Sequence, residues 1–444
     1  MPSSPAWSRA GARLARSALA YVAVLAAVVT LAPLDFAAAP SAGWSWLVVP
    51  GDLLRNVAFF APIGFLAALA GPARHALPRA VAMGGGFSLL LEVAQRWLPG
   101  RYPSLLDVVA NTGGAAIGGI VALAVASGVT TRQGERAIGA LGAPLAGLVY
   151  LLTPVLWLGT LAGAPDGREA VVLLAGLAGA VLVRAIGVHQ LLDTDDDGVP
   201  PLSEHLVLGV LAGAWYAVGI APGLVGGTER LGVGLVAVAA IGALPWIERE
   251  RRLVTSGARP RRERRFEGRA LRQAAPLFLA YLVAASGWPL PDGLEAWRWA
   301  NGFVAEGAPL DRAAILRVVE RVAAFAVLGY AAAEWRSRRE ETRGALLRAV
   351  AGPALGTAVL LEVGRGWHPA WGASPSLAAL SVLAALVGAE LFRTQRDVIV
   401  DLLVASAQAE WRRRQGERLV LREEVEPPTP VTAIVRRGPD GFAA

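Results

Sequence analysis

Residues 78–127 read PRAVAMGGGFSLLLEVAQRWLPGRYPSLLDVVANTGGAAIGGIVALAVAS, and this stretch decides the fold. Two apolar blocks, 78–98 and 106–127, are joined by a short polar link. Each block is long enough to cross the hydrocarbon core of a bilayer, which takes about 20 residues in a helix. Their apolar residues come in runs rather than in the stripes of a surface helix. The exceptions, Glu92, Gln95, Arg101, Asp107 and Asn111, gather around the link. The pattern predicts two membrane helices hinged at one face, with polar groups held at the hinge.

Read outward from there, the chain repeats the pattern. Hydrophobic residues make up 55% of its 444 residues and charged residues only 17%, against about a quarter charged in soluble domains. The expected fold is all-α, a polytopic transmembrane helical bundle of about 12 spans. Expected cores are 15–34, 53–70, 78–98, 106–127, 137–161, 169–187, 202–221, 229–247, 273–290, 313–333, 345–364 and 376–393. Cysteine is absent, which excludes disulfides, a thiol nucleophile and thiolate-bound metal. Four scattered histidines make a poor metal set.

The net charge of +7 is carried by arginine. The basic run 248–272 holds a single aromatic, Phe266, rather than aromatics interleaved along it, so nucleic acid is not the expected partner and anionic lipid is. Basic residues recur in every second loop, at Arg9/Arg13/Arg16, Arg74/Arg79, Arg132/Arg136, Arg184, 249–272 and Arg336–Arg348. By the positive-inside rule, both termini are expected in the cytoplasm. Trp44, Trp46, Trp97, Trp288, Trp297, Trp299, Trp367 and Trp371 then collect at the outer interface as an aromatic belt. The block Ala18–Ala32 has the outline of a signal peptide, but a corresponding span recurs late in the chain, which favours an uncleaved anchor.

That recurrence is one part of an internal duplication. Residues 55–65 (RNVAFFAPIGF) parallel 320–330 (ERVAAFAVLGY), and 91–99 (LEVAQRWLP) parallel 361–369 (LEVGRGWHP). Pro103-Ser-Leu105 parallels Pro375-Ser-Leu377. The expected division is a four-helix unit at 1–130, a middle four-helix insert at 131–247, a basic linker at 248–272, a second and degenerate unit at 273–393, and a tail at 394–444. Within the tail, 397–418 is read as an interfacial helix and the stretch beyond Pro427 as disordered.

Ionisable groups inside a bilayer are costly, so those retained mark a site or a structural pair. The first unit concentrates Arg55, Asn56, Ser88, Glu92, Gln95, Arg101, Ser104, Asp107 and Asn111. Ser88, Glu92 and Gln95 lie at i, i+4, i+7 and share a helix face; Asp107, Asn111, Gly114 and Gly118 do the same on the next helix. All are expected at the outer end of one helix cluster. In the second unit, Glu320 and Glu362 are expected to pair with Arg321 and Arg365 as structure.

The motifs Asn56-x3-Phe60-x-Pro62-x-Gly64-Phe65, Glu92-x2-Gln95, Pro99-Gly-Arg101 and Ser104-x2-Asp107-x3-Asn111-x2-Gly114 resemble the VanZ-like family of bacterial membrane proteins. The resemblance covers 15–127 and rests on polar positions of three helices in order. The second unit departs from it, with Arg321 for Asn56, Arg365 for Gln95, and Ala379 and Leu383 expected where the first unit has Asp107 and Asn111. The resemblance implies a multi-pass protein of the bacterial plasma membrane, with a link to tolerance of glycopeptides of the teicoplanin type. It supplies no reaction.

The expected role is therefore non-enzymatic: binding or moving a polar lipid, a lipid-linked glycan or another wall-related ligand at the outer face. The alternatives are an intramembrane enzyme using Glu92 or Asp107 as acid/base, and a secondary transporter. No cofactor is expected. A separate motif, Asp193-x-Asp195-x-Asp197-Gly198-x5-Glu204, fits a calcium loop and makes Asp193, Asp195, Asp197 and Glu204 candidate ligands. Pro200 and Pro201 argue against it, and a solvated acidic turn is the competing reading.

Overall fold

A computed structural model describes residues 9–32, 34–40, 43–46, 50–128, 144–162, 167–190, 202–225, 231–244, 263–289, 291, 293–300, 302–303, 311–336 and 342–396. Among them are twelve α-helices and no strand, one helix for each expected block. They are α1 (Arg9–Leu31), α2 (Pro50–Leu69), α3 (Ala76–Gln95), α4 (Leu105–Gly128), α5 (Pro144–Leu161), α6 (Glu169–Gln190), α7 (Leu202–Val225), α8 (Leu231–Ala243), α9 (Glu263–Ser286), α10 (Arg312–Arg336), α11 (Arg343–Gly366) and α12 (Pro375–Arg396). The linker ends earlier than expected, because α9 begins at Glu263. The expected tail helix and the rest of the linker lie outside the described residues.

Six helices, α2, α3, α4, α6, α11 and α12, are long and apolar enough to cross a membrane. Shorter apolar stretches lie in α1, α5, α7 and α8. The 13 residues of α8 span only about 20 Å at the helical rise, short of a 30 Å hydrocarbon core. Charge sets α10 apart: Arg317, Glu320 and Arg321 interrupt it.

The helices are inside out relative to a soluble protein. On α3 the buried face is Ala76, Ala80, Gly84, Ser88, Leu91, Glu92 and Gln95, while Met83, Leu89, Leu90 and Val93 are exposed. On α4 the exposed residues include Val109, Ile117, Ile120 and Val121. Apolar side chains outside and small or polar ones within are what a lipid solvent favours.

Glycines set the closest contact. A Cβ on Gly64 of α2 would meet the Ala115 backbone of α4, and one on Gly114 or Gly118 would meet Val57 O or Ala61 O of α2. These helices therefore touch backbone to backbone, in the manner of small-xxx-small packing. The same contact recurs between α10 and α12, where Gly329 faces Ala385 and Gly388 faces Ala326 O.

Helices α5–α12 share one hydrophobic core running from Leu145 to Phe392, while α1, α2 and α3 form a separate cluster around Phe60 and Ile63. At the centre, α6 packs on α5, α7, α8 and α9, and 72% of its spanning window is buried.

Arg184, counted above as a loop residue, proves to be interior, and so does Arg168, just before α6. Arg184 is fully buried on α6 and donates to Gly242 O at 2.7 Å. Arg168, 2% exposed, binds Glu320 of α10. Neither belongs to a charge count for orientation. Arg79 has left the loop as well: it donates to Ala67 O at 2.7 Å and to Ala68 O, capping the last turn of α2.

Candidate functional site

The chain turns between α3 and α4 through residues 96–104. Pro99 cannot continue the helix, and Gly100 takes a φ of +75°, a region that glycine enters without steric cost. Leu98 N–H donates to Gln95 O and Arg101 N–H to Leu98 O, tightening the turn. Two segments that follow α1 are bonded to it: Ser45 N–H donates to Pro103 O at 2.7 Å and Ala37 N–H to Trp97 O at 2.7 Å.

Ser104 opens α4. Its Oγ accepts from Asp107 N–H at 3.3 Å, the geometry of an N-cap serine. In an ordinary capping box the acid three residues on would take the cap's own N–H. Here Glu92 of α3 takes it instead, with Ser104 N–H donating to Glu92 Oε2 at 2.8 Å. That exchange leaves the Asp107 carboxylate for another partner, the Asn56 side chain of α2. One turn deeper, Asn111 Nδ2 donates to Ser88 Oγ at 2.8 Å.

Of the nine residues expected at the site, seven fall in two sets of contacts at this turn, Asn56, Glu92, Arg101, Ser104 and Asp107 in one and Ser88 with Asn111 in the other. Asn56, Ser88, Glu92, Ser104, Asp107 and Asn111 are linked as above; Arg101 interacts electrostatically with Glu92 and donates to Ala32 O at 3.4 Å. Gln95 is buried on the same face of α3, one turn beyond Glu92. Arg55 is exposed and pairs with Asp52 at 3.1 Å. Asp52 is the residue the sequence reading missed. It is close enough to act on Asp107, and its place three residues before Arg55 was the available signal.

Three carboxylates, Asp52, Glu92 and Asp107, thus gather at the hinge with Arg55 and Arg101. Glu92 is 4% exposed, and among the described residues no hydrogen bond reaches its Oε1. The Asn111 Oδ1 acceptor is buried and unsatisfied. A hydroxyl or ammonium donor would complete both groups.

The family model described as VanZ/LLP1 matches residues 8–126. The first unit is VanZ-like. The match stops before α5, and no curated protein and no solved structure matches the chain.

Beyond the VanZ-like unit, the same construction stands between α11 and α12. Ser374 N–H donates to Glu362 Oε2 at 2.9 Å, and Ser374 Oγ accepts from Leu377 N–H at 3.0 Å. Ala300 N–H donates to Ala373 O, as Ser45 N–H does to Pro103 O. These bonds correct the expected correspondence. They set Leu377 where the VanZ-like unit has Asp107, and Ser381 where it has Asn111, not Ala379 and Leu383. The Pro-Ser-Leu match had drawn the alignment two residues too far.

The expected pairing is half right. Glu362 Oε1 accepts from Arg321 at 2.8 Å and from Arg365 at 3.4 Å. Glu320 does not pair with either; it is held by Arg168 of the middle insert and by Tyr281 OH at 2.8 Å.

The candidate calcium loop at 193–204 lies outside the described residues apart from the backbone of α7. Among the described residues, no group of three His, Asp or Glu side chains could hold a metal ion.

Proposed function

We infer that the chain is a multi-pass protein of the bacterial cell envelope that binds a polar lipid or wall-related ligand at the outer membrane face, through Glu92, Asp107, Asn111 and their neighbours. The second unit is read as a diverged copy of the VanZ-like unit, built on the same turn and the same glycine contacts. The orientation follows from the basic loops, and the aromatic residues near both turns agree with it.

One observation carries the reading: Glu92 is fixed by a backbone N–H through one oxygen, and among the described residues no hydrogen bond reaches the other. A merely structural carboxylate in a membrane unit would be fully paired. The acidic balance of the hinge suits a ligand presenting hydroxyl or amino groups, which sugars and aminated headgroups share. A link to glycopeptide tolerance belongs to the same reading.

The test is to purify the protein and its Glu92→Gln and Asp107→Asn variants in mild detergent and identify retained lipid or glycan by native mass spectrometry. The wild type is expected to retain a species that both variants lose at unchanged expression, with glycopeptide tolerance falling in parallel. Identical retention by all three proteins, with unchanged tolerance, would overturn the proposal.

A further inference from the structure

The two turns share a skeleton but carry opposite charge. Around Glu92 stand Asn56, Gln95 and Asp107; at the matching places around Glu362 stand Arg321, Arg365 and Leu377. Two neutral carboxamides have become guanidiniums, and one carboxylate has become a leucine. Beside this second turn is a cavity of about 50 Å³, lined in part by Tyr281, Ser286, Arg317, Arg321, Arg365 and Trp371.

The arginines of this cavity are not equally occupied. Arg321 uses its donors on Glu362 Oε1 at 2.8 Å, Ser286 Oγ at 2.6 Å and Ser381 Oγ at 3.3 Å. Arg365 reaches only the oxygen that Arg321 already holds, at 3.4 Å, and its buried Nε has no hydrogen-bond partner. The other Glu362 oxygen is taken by Ser374 N–H. Glu320 is neutralised by Arg168. Among the described residues, the guanidiniums of Arg168, Arg321 and Arg365 meet two carboxylates, Glu320 and Glu362, in a largely buried space. Trp371 presents its ring to Arg365 at 5.3 Å and to Arg317 at 5.0 Å, holding both cations at the cavity wall.

We propose that this cavity is an anion site that takes a phosphate group, with Arg365 as its principal donor and Trp371 as the platform that orients it. A guanidinium fork matches phosphate oxygens in two-point geometry, and an anion there offsets the positive charge that Glu362 leaves uncompensated. The cavity has the scale of a few water-sized groups, enough for a headgroup phosphate or for free phosphate. The proposal does not depend on the reading of the Glu92 site.

The test uses the full chain in a neutral detergent at fixed ionic strength. Its melting temperature is followed while inorganic phosphate replaces chloride, and separately while short-chain phosphatidylglycerol is added. Stabilisation by phosphate alone identifies a free-anion site, and stabilisation by the lipid alone a headgroup site; both support the proposal. Arg365→Gln, which installs the residue found at Gln95, is expected to weaken the response at least tenfold, and Arg365→Lys to weaken it less. Leu360→Ala, on the exposed side of α11, is expected to leave the response unchanged. No stabilisation by either probe, an undiminished response in both Arg365 variants, or loss of the response in Leu360→Ala would overturn it.

Discussion

A single hydrogen bond distinguishes this turn from an ordinary capped helix: Glu92 reaching across from α3 to the N–H of Ser104. Its counterpart, Glu362 on Ser374, carries two arginines as well, and the two acids should therefore respond differently to the same change. Glu92→Gln keeps an acceptor for Ser104 N–H and removes a charge with little cationic compensation, so thermal stability should shift by no more than about 1 kcal/mol. Glu362→Gln leaves Arg321 and Arg365 buried without their counter-charge, a loss expected at about 3–5 kcal/mol. Thermal unfolding of both variants in one detergent checks the order. Equal losses would mean that the two turns are energetically alike despite their different charge.

Among the elements, the tightest constraint is the backbone contact of α2 with α4. A Cβ at Gly118 would push into Ala61 O and Phe65 N, whereas one at Gly86, on the exposed side of α3, meets nothing within 4 Å. Gly118→Leu should cost well over the 1–3 kcal/mol typical of an overpacked core, since backbone rather than side chain must move. Gly86→Leu should be neutral or raise stability by about 0.5–1 kcal/mol through helix propensity. Expression level and melting temperature of the two variants give the comparison. Much of this level was legible in the sequence. Apolar runs located all twelve helices, and the i, i+4 spacing of Ser88, Glu92, Asn111 and the glycines placed the inward faces. Two things escaped. Register in the second unit was misread because Pro-Ser-Leu recurs two residues off the bonded position. The partner of Glu320 lies 152 residues away in Arg168, and no local pattern connects them.

Over the whole molecule, the finding that sequence did not anticipate is the position of the middle insert. Helices α5–α8 are not an appendage, because their buried residues and those of α9–α12 make one core, pinned by the buried Arg168–Glu320 pair at 2.9 Å. Arg168→Ala should therefore destabilise the second unit by about 3–5 kcal/mol, by stranding Glu320 in the interior. Limited proteolysis and thermal unfolding would register that loss, and unchanged stability would mean that the insert is held by apolar packing alone.

The central claim is that the Glu92–Asp107 turn opens on the outer side of the membrane. The chain has no cysteine, so single introduced thiols report their side without background. Tyr102, 71% exposed on that turn, and Leu294, 77% exposed near the turn at Glu362, are the positions to use, with Arg74 in the opposite loop of the first unit as the control. In intact cells, Tyr102→Cys and Leu294→Cys should both react with a membrane-impermeant maleimide, and Arg74→Cys only after permeabilisation. Labelling of Arg74→Cys from outside, with Tyr102→Cys protected until the cells are opened, would contradict the account.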